Sequence, residues 1–187
     1  DVYWDRIVSI VPAGVKQVYD LTIPETHNFI ANDVCVHNTS LAMNIVENAA
    51  VGNKIPVAVF SMEMPGTQLA LRMMASLGRI NAHRVRTGKL DDDDWPRLTS
   101  AVSLLNEAPI FIDDSPALTP MELRARARRL KREHGLGLII IDYLQLMQST
   151  ERTEENRATE ISNITRALKG LAKELDVPVI AMSQLNR

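Results

Sequence analysis

Three apolar runs in this sequence each lead into side chains able to do chemistry. "LGLIIIDYLQLM" ends its apolar stretch at Asp142, "VAVFSMEMP" leads to Glu63, and "VPVIAMSQLNR" delivers Ser183 and Gln184. A carboxylate at the carboxyl end of a buried parallel strand faces the crevice in which open α/β sheets bind ligands. There Asp142 could hold a water of a Mg²⁺–nucleotide complex, because Mg²⁺ prefers oxygen ligands and retains several waters. Glu63, at the same sheet edge, could polarise an attacking water. The Gln184 amide could sense a terminal phosphate without adding charge. Each residue also has a plainer reading. Asp142 could cap the next segment, Glu63 could be an acid in the first turn of the helix after Pro65, and Ser183 and Gln184 could be a polar strand end. Three ends converging on one edge favour the site.

A fourth stretch, "VCVHNTS" at 34–40, offers a different chemistry. An asparagine amide can attack its own backbone carbonyl, closing a succinimide and cleaving the bond to the next residue. The imidazole of His37 beside Asn38 could act as general acid for that cleavage, and the Thr39 hydroxyl could serve as an acyl-transfer nucleophile. A bare His-Asn-Thr triplet occurs by chance, so its surroundings decide.

Two textures surround these residues. Residues 1–38 read as β: "WDRIVSIVP" and "VKQVYDLTIP" flank a turn at Ala13–Gly14, and "HNFIA" and "VCVHN" flank Asn32–Asp33 as a second hairpin. From Thr39 onward, short apolar strands at 56–60, 109–113, 138–142 and 178–182 alternate with helical periodicity near 40–51, 67–78, 92–106, 120–133 and 157–175. Strands this apolar are buried on both faces, and their alternation with helices implies a parallel sheet covered by helices. The join between the two architectures falls at Asn38/Thr39, without a Gly- or Ser-rich tether.

Bulk composition bounds the rest. The 187 residues are 45% hydrophobic and 24% charged, with formal net charge −2, enough for one domain plus a small appendage. That balance argues against a chain that coats nucleic acid generally, while leaving room for a local basic patch. One cysteine, Cys35, excludes an internal disulfide and fits a reducing, cytoplasmic setting. On its apolar strand it reads as a small hydrophobe. No apolar run nears the ~20 residues that span a bilayer, so no membrane partner is expected. Opening on Asp1 rather than Met suggests a piece of a longer product. "LDDDDWPRL" places acids ahead of a helix with Pro96 near its first turn, which suits the helix dipole. "LRARARRLKREHG", with Arg124, Arg126, Arg128, Arg129, Lys131 and Arg132, reads first as a solvated face, with a subunit interface or DNA contact as alternatives. Arg152 and Arg157, around the polar "STERTEENR", are candidates for phosphate-backbone contact.

Beyond these readings, "FSMEMP", "IIIDYLQLM", "NRATEISNITRALKGLAKEL" and "PVIAMSQLNR" stand in the order and spacing of replicative DNA helicases of the DnaB type, and the resemblance runs from Thr39 to Arg187. It implies a RecA-like P-loop ATPase fold, incomplete here, with ATP and Mg²⁺ as cofactors. Glu63 becomes the catalytic base, Asp142 the Walker B carboxylate and Gln184 the γ-phosphate sensor. Thr39 becomes the hydroxyl that coordinates Mg²⁺, with Ser40 beside it at the nucleotide. It also implies a homohexamer on single-stranded DNA at a replication fork, served by a primase and a helicase loader. The family's glycine-rich loop, its lysine and the preceding strand are replaced here by "VCVHN", so this chain alone is not expected to bind ATP well. The arginine finger and most DNA-contacting loop residues are expected beyond Arg187.

The segment "WDRIVSIVPAGVKQVYDLTIPETHNFIANDVCVHN" resembles the C-terminal part of inteins, self-splicing elements of the all-β HINT fold. That resemblance makes Asn38 the residue that cyclises, His37 its helper, Thr39 the first host residue and transfer nucleophile, and Asp20 and His27 supporting groups. The missing N-terminal intein half is then a required partner. The division is 1–38 splicing segment and 39–187 partial helicase ATPase domain. Splicing would join an upstream Gly-Lys to Thr39 and rebuild the phosphate loop. Two further readings stand beside the interrupted helicase. One is an autoprocessing, trans-splicing half that merely carries a helicase flank; the other is a catalytically dead RecA-like scaffold.

Overall fold

The computed structural model describes residues 29–31, 34–36, 38–148 and 157–183. The hairpin expected around Ala13–Gly14, the turn at Asn32–Asp33, and Asp20, His27, His37, Arg152 and Gln184 lie outside the described residues. What is described of the N-terminal segment is one antiparallel pair, β1 (Phe29–Ala31) with β2 (Val34–Val36), in which Ile30 faces Cys35 across the ladder. This is the pairing that a hairpin over "HNFIA" and "VCVHN" requires.

The rest is a four-stranded sheet in the order β4–β3–β5–β6, built from β3 (Val57–Ser61), β4 (Ile110–Asp113), β5 (Leu138–Asp142) and β6 (Val179–Ala181). All three pairings are parallel. The two central strands, β3 and β5, are buried at every position, which explains why they read as unbroken apolar runs rather than alternating ones. The pleat sends alternate side chains into two separate cores. Phe60, Ile139 and Ile141 meet Leu123 of α5 (Pro120–His134) and Ile164 and Leu168 of α6 (Arg157–Leu175). Val57, Val59 and Ile140 meet Met43 and Val46 of α1 (Asn38–Glu47) and Leu69 and Met73 of α2 (Gly66–Gly78). The result is three layers, helices on both faces of the sheet. Behind α2 lie α3 (Ala82–Thr87) and α4 (Asp94–Asn106).

Local chemistry sets the helix ends. At α5, Thr119 and Glu122 form a reciprocal capping box with Pro120 following the cap, and Gly135 closes the helix at φ +70°. Three differences from the sequence reading have physical reasons. The helix expected over 40–51 already begins at Asn38 and loosens into a π turn at Asn48–Gly52, so the change of architecture placed at Asn38/Thr39 falls inside a helical turn. The short α3 was not anticipated, because its six residues bury nothing and show no periodicity. Its signals are an Asn81 cap accepting from His83 N at 2.9 Å and Gly88 at φ +69°. The acid run before α4 does more than complement a dipole. Asp94 is the helix's first residue, is 2% exposed, and is clamped by Arg84 and by Arg97 at 2.6 Å.

Candidate functional site

The site grows from the carboxyl edge of the sheet. Ser61 and Asp142 are register partners at the ends of β3 and β5, and Met62 N donates to Asp142 O at 2.9 Å. Here α1 presents its N-terminal turn. Thr39 is 2% exposed and Asp142 4%, and the Thr39 hydroxyl donates to Asp142 Oδ2 at 2.9 Å. Residues 103 apart in sequence thus meet in a buried, charge-assisted contact. Ser40, the next residue, is exposed on the same turn. Met182 N donates to Ile141 O at 2.9 Å, which keeps the end of β6 beside Asp142, and Gln145 Nε2 donates to Ser183 Oγ at 2.8 Å.

Glu63 occupies the turn between β3 and α2, exposed and outside the helix, so it is not a first-turn helix acid. The turn is fastened on both sides of it. Ser61 Oγ donates to Met64 O at 2.8 Å and accepts from Met64 N at 3.3 Å, and Gly66 N donates to Asp114 Oδ2 at 2.9 Å. Beside Asp114, Arg126 donates to both oxygens of Asp113, at 2.7 and 2.5 Å, and to Ser115 Oγ at 2.6 Å. Burial alone would raise the Asp113 carboxyl, but Arg126 and Ser115 outweigh it and hold it below the usual carboxylate range.

The remaining basic residues of α5 are largely engaged in ion pairs. Glu174 of α6 takes both Arg124, at 2.8 Å, and Arg128, at 3.3 Å, and Glu133 lies near Arg129 and Arg132. Arg157 is bound locally, to Glu160 and to the backbone oxygen of Gln145. Sequence reasoning missed Glu47. It is 8% exposed at the end of α1, with Ser76 donating to one oxygen at 2.9 Å and the other oxygen buried without a partner among the described residues. Burial pushes its carboxyl up to about 7. Nothing in the "NIVENAA" pattern distinguishes it from a surface acid, since its burial depends on where α2 lies.

A buried hydroxyl and a carboxylate at the positive end of a helix suit the oxygen-preferring Mg²⁺ of a nucleotide. Among the described residues no cluster of three or more His, Cys, Asp or Glu could cage a metal. The phosphate side fits less well. "VCVHN" supplies neither glycine nor lysine directly before Thr39.

A parallel sheet flanked by helices, with this pair at its carboxyl edge, defines a RecA-like ATPase core. Among solved structures it is similar to an isolated ATPase domain, with TM-score 0.76 and 32% identity over 80% of this chain and 53% of that one. It is also similar to a DnaB-like replicative helicase solved with a view to its interactions with primase, with TM-score 0.73 and 30% identity over 80% of this chain and 37% of that one. The chain belongs to the DnaB-like helicase C terminal domain family, whose match spans residues 23–187. The replicative DNA helicase DnaB of Geobacillus stearothermophilus is 52% identical over 186 residues, covering 98% of this chain and 41% of that protein. That of Buchnera aphidicola subsp. Schizaphis graminum is 56% identical over 151 residues, 80% of this chain and 32% of that protein. The chain therefore spans about two-fifths or less of these relatives. A second family, described as Intein splicing domain, matches residues 1–38. Among the described residues no helix is long and apolar enough to cross a membrane.

Proposed function

We propose that this chain is the downstream part of a cytoplasmic replicative DNA helicase precursor interrupted by an intein at its phosphate-binding loop. Thr39 serves first as splicing nucleophile and afterwards as Mg²⁺ ligand. The observation that carries the reading is Thr39 itself: it directly follows the segment matched by the intein family and donates its hydroxyl to Asp142 in the helicase core. In the splicing step, Thr39 Oγ attacks the upstream acyl carbon held as an ester or thioester on the first nucleophile of the missing intein half; the bond to that nucleophile breaks, and it leaves with the Thr39 hydroxyl proton. Asn38 Nδ2 then attacks the Asn38 carbonyl carbon, the Asn38–Thr39 C–N bond breaks, and His37 protonates the departing amine of Thr39. Asp20 and His27 support this chemistry. The freed amine captures the acyl group from the hydroxyl, leaving a peptide bond to Thr39 and its alcohol regenerated.

In the spliced product Thr39 and Asp142 would hold the metal and Ser40 would face the nucleotide, while Glu63 would orient and deprotonate the attacking water and Gln184 would contact the terminal phosphate. Mg²⁺, when bound, neutralises charge on the transferring phosphoryl group. The product works as a homohexamer on single-stranded DNA, with a primase and a helicase loader as partners. Unspliced, the chain turns over little ATP.

The test supplies the natural upstream sequence and follows the products by mass spectrometry. A ligated chain containing Thr39 onward is expected, with accumulation of unspliced precursor in Asn38→Ala; splicing of Asn38→Ala at the parent rate sinks the junction chemistry. In the ligated protein Glu63→Gln is expected to bind nucleotide without turnover. A trans-splicing half carrying an inert flank remains the second reading, favoured by the match ending at residue 38. Ligated protein with no ATPase activity would establish it.

A further inference from the structure

Among the described residues no hydrogen bond or ion pair holds the Glu63 side chain itself, so its place is set by the backbone turn that carries it. One side of that turn is tied to the sheet by Met62 N on Asp142 O at 2.9 Å and by the Ser61 hydroxyl on Met64. The other side is the start of α2, and its own cap residue is Pro65, which offers no side-chain acceptor. The acceptor comes instead from the end of β4. Asp114, 48 residues away, takes the Gly66 N–H at 2.9 Å, and a carboxylate at a helix N-terminus also suits the dipole. A Cβ at Gly66 would crowd Ile112 Cγ2 at 3.3 Å and would meet the Asp114 carboxylate at an ordinary contact distance of 3.5 Å. Asp114 is framed in turn by Arg126, which grips Asp113 on one side and Ser115 on the other.

We propose that Asp114 is a positioning residue for Glu63: it caps α2 from a neighbouring strand end and fixes the turn on which the general base sits, with Arg126 of α5 bracing it. This rests on the reading of Glu63 as base. Water activation depends on heavy-atom separations within hydrogen-bond reach, and a 1 Å misplacement lowers turnover about a hundredfold. Nucleotide affinity depends on other residues, Thr39 and Asp142 chief among them. Loss of Asp114 therefore acts on kcat and spares KM.

The experiment measures steady-state ATP hydrolysis by the ligated full-length protein on single-stranded DNA. Asp114→Ala is expected to lower kcat about ten- to a hundredfold, with KM for ATP changed less than about twofold. Asp114→Asn keeps an oxygen that accepts the Gly66 N–H and is expected to recover most of kcat. Adding Asp114→Ala to Glu63→Gln is expected to lower turnover no further than Glu63→Gln alone. If Asp114→Ala melts below the assay temperature, Arg126→Met takes over the test: it leaves Asp114 in place, frees its turn, and is expected to lower kcat severalfold with KM unchanged. Turnover lost in Glu63→Gln but kept in a folded Asp114→Ala overturns this proposal alone, as does an Asp114→Asn as damaged as Asp114→Ala. Turnover retained by Glu63→Gln overturns the base assignment and this proposal with it.

Discussion

Glu47→Gln should change sign in its effect on stability between pH 4 and pH 8. The carboxyl lies 8% exposed between α1 and α2, accepts one hydrogen bond from Ser76 at 2.9 Å, and leaves Oε1 buried without a partner among the described residues. Burial raises it from 4.5 to about 7. The folded protein thus keeps a proton that the unfolded chain releases above its ordinary value, so stability is full at low pH and falls as pH rises towards 7. At 1.36 kcal/mol per decade, ionising Glu47 in place costs about 3 kcal/mol by pH 8. Glutamine cannot ionise. Its oxygen can still accept from Ser76, but its amide puts an extra donor where Oε1 has no partner, at about 1 kcal/mol. The variant should therefore be about 1 kcal/mol less stable than the parent at pH 4, about equal to it near pH 5, and about 2 kcal/mol more stable at pH 8. Urea unfolding at half-unit pH intervals reads this as crossing midpoint curves with unchanged m-values. A stability difference that stays constant from pH 5 to 8 refutes the reasoning, because the carboxyl would then be ionised in the fold throughout.

Three further outcomes are expected. Thr39→Val keeps the shape and removes the hydroxyl, and should abolish both ligation at the junction and ATP turnover in ligated protein. Thr39→Ser should keep both, and mass spectrometry and a phosphate-release assay separate the two. Leu123→Ala, at a fully buried position on the sheet-facing side of α5, should lower unfolding free energy by about 2–5 kcal/mol through lost burial and a cavity; a loss under about 1 kcal/mol by urea titration would mean the core is not closed there. Thr119→Ala removes the α5 capping box and should destabilise by about 1 kcal/mol, whereas Thr119→Ser should match the parent.

What the sequence disclosed tracks how local each cause is. Strands β3 and β5 were legible because burial on both faces leaves a continuous apolar word in the sequence, and α6 because nineteen residues carry a periodic stripe. The parallel pairing of β3 with β5 followed from reading both as buried strands that alternate with helices. The contacts that went unseen are set by tertiary placement. Glu47 and Asp94 look like surface acids, and only the arrival of α2 and of Arg84 makes one an isolated buried carboxyl and the other a clamp. Asp113 closes the apolar run read as a strand at 109–113 and Asp114 follows it, with nothing local to single out either. Their partners are a helix start 48 residues upstream and an arginine from a run that read as solvated surface. No pattern within one element encodes such a pairing.

Thr39 owes its place to the packing of α1, not to the residues before it. Ala42, Met43 and Val46 seat that helix against Val57, Val59 and Ile140, and a helix so anchored delivers the hydroxyl of its first turn to the end of β5. The position is therefore available whether a phosphate loop or a foreign segment precedes it, which is the physical condition for an insertion here to leave the host core able to fold. On the proposed reading the insertion leaves only part of the nucleotide site intact. On that reading helix seating supplies one metal ligand and its carboxylate partner, while the phosphate cradle has to come from backbone amides and a lysine in the chain before the helix. On the proposed reading the precursor is thus folded yet lacks half of its nucleotide site, and ligation restores activity by adding a loop to a framework already in position. Circular dichroism and unfolding of residues 39 onward should accordingly change little on ligation, while nucleotide affinity rises by orders of magnitude. A large gain in folding cooperativity on ligation would instead mean that the loop and its strand help to build the core.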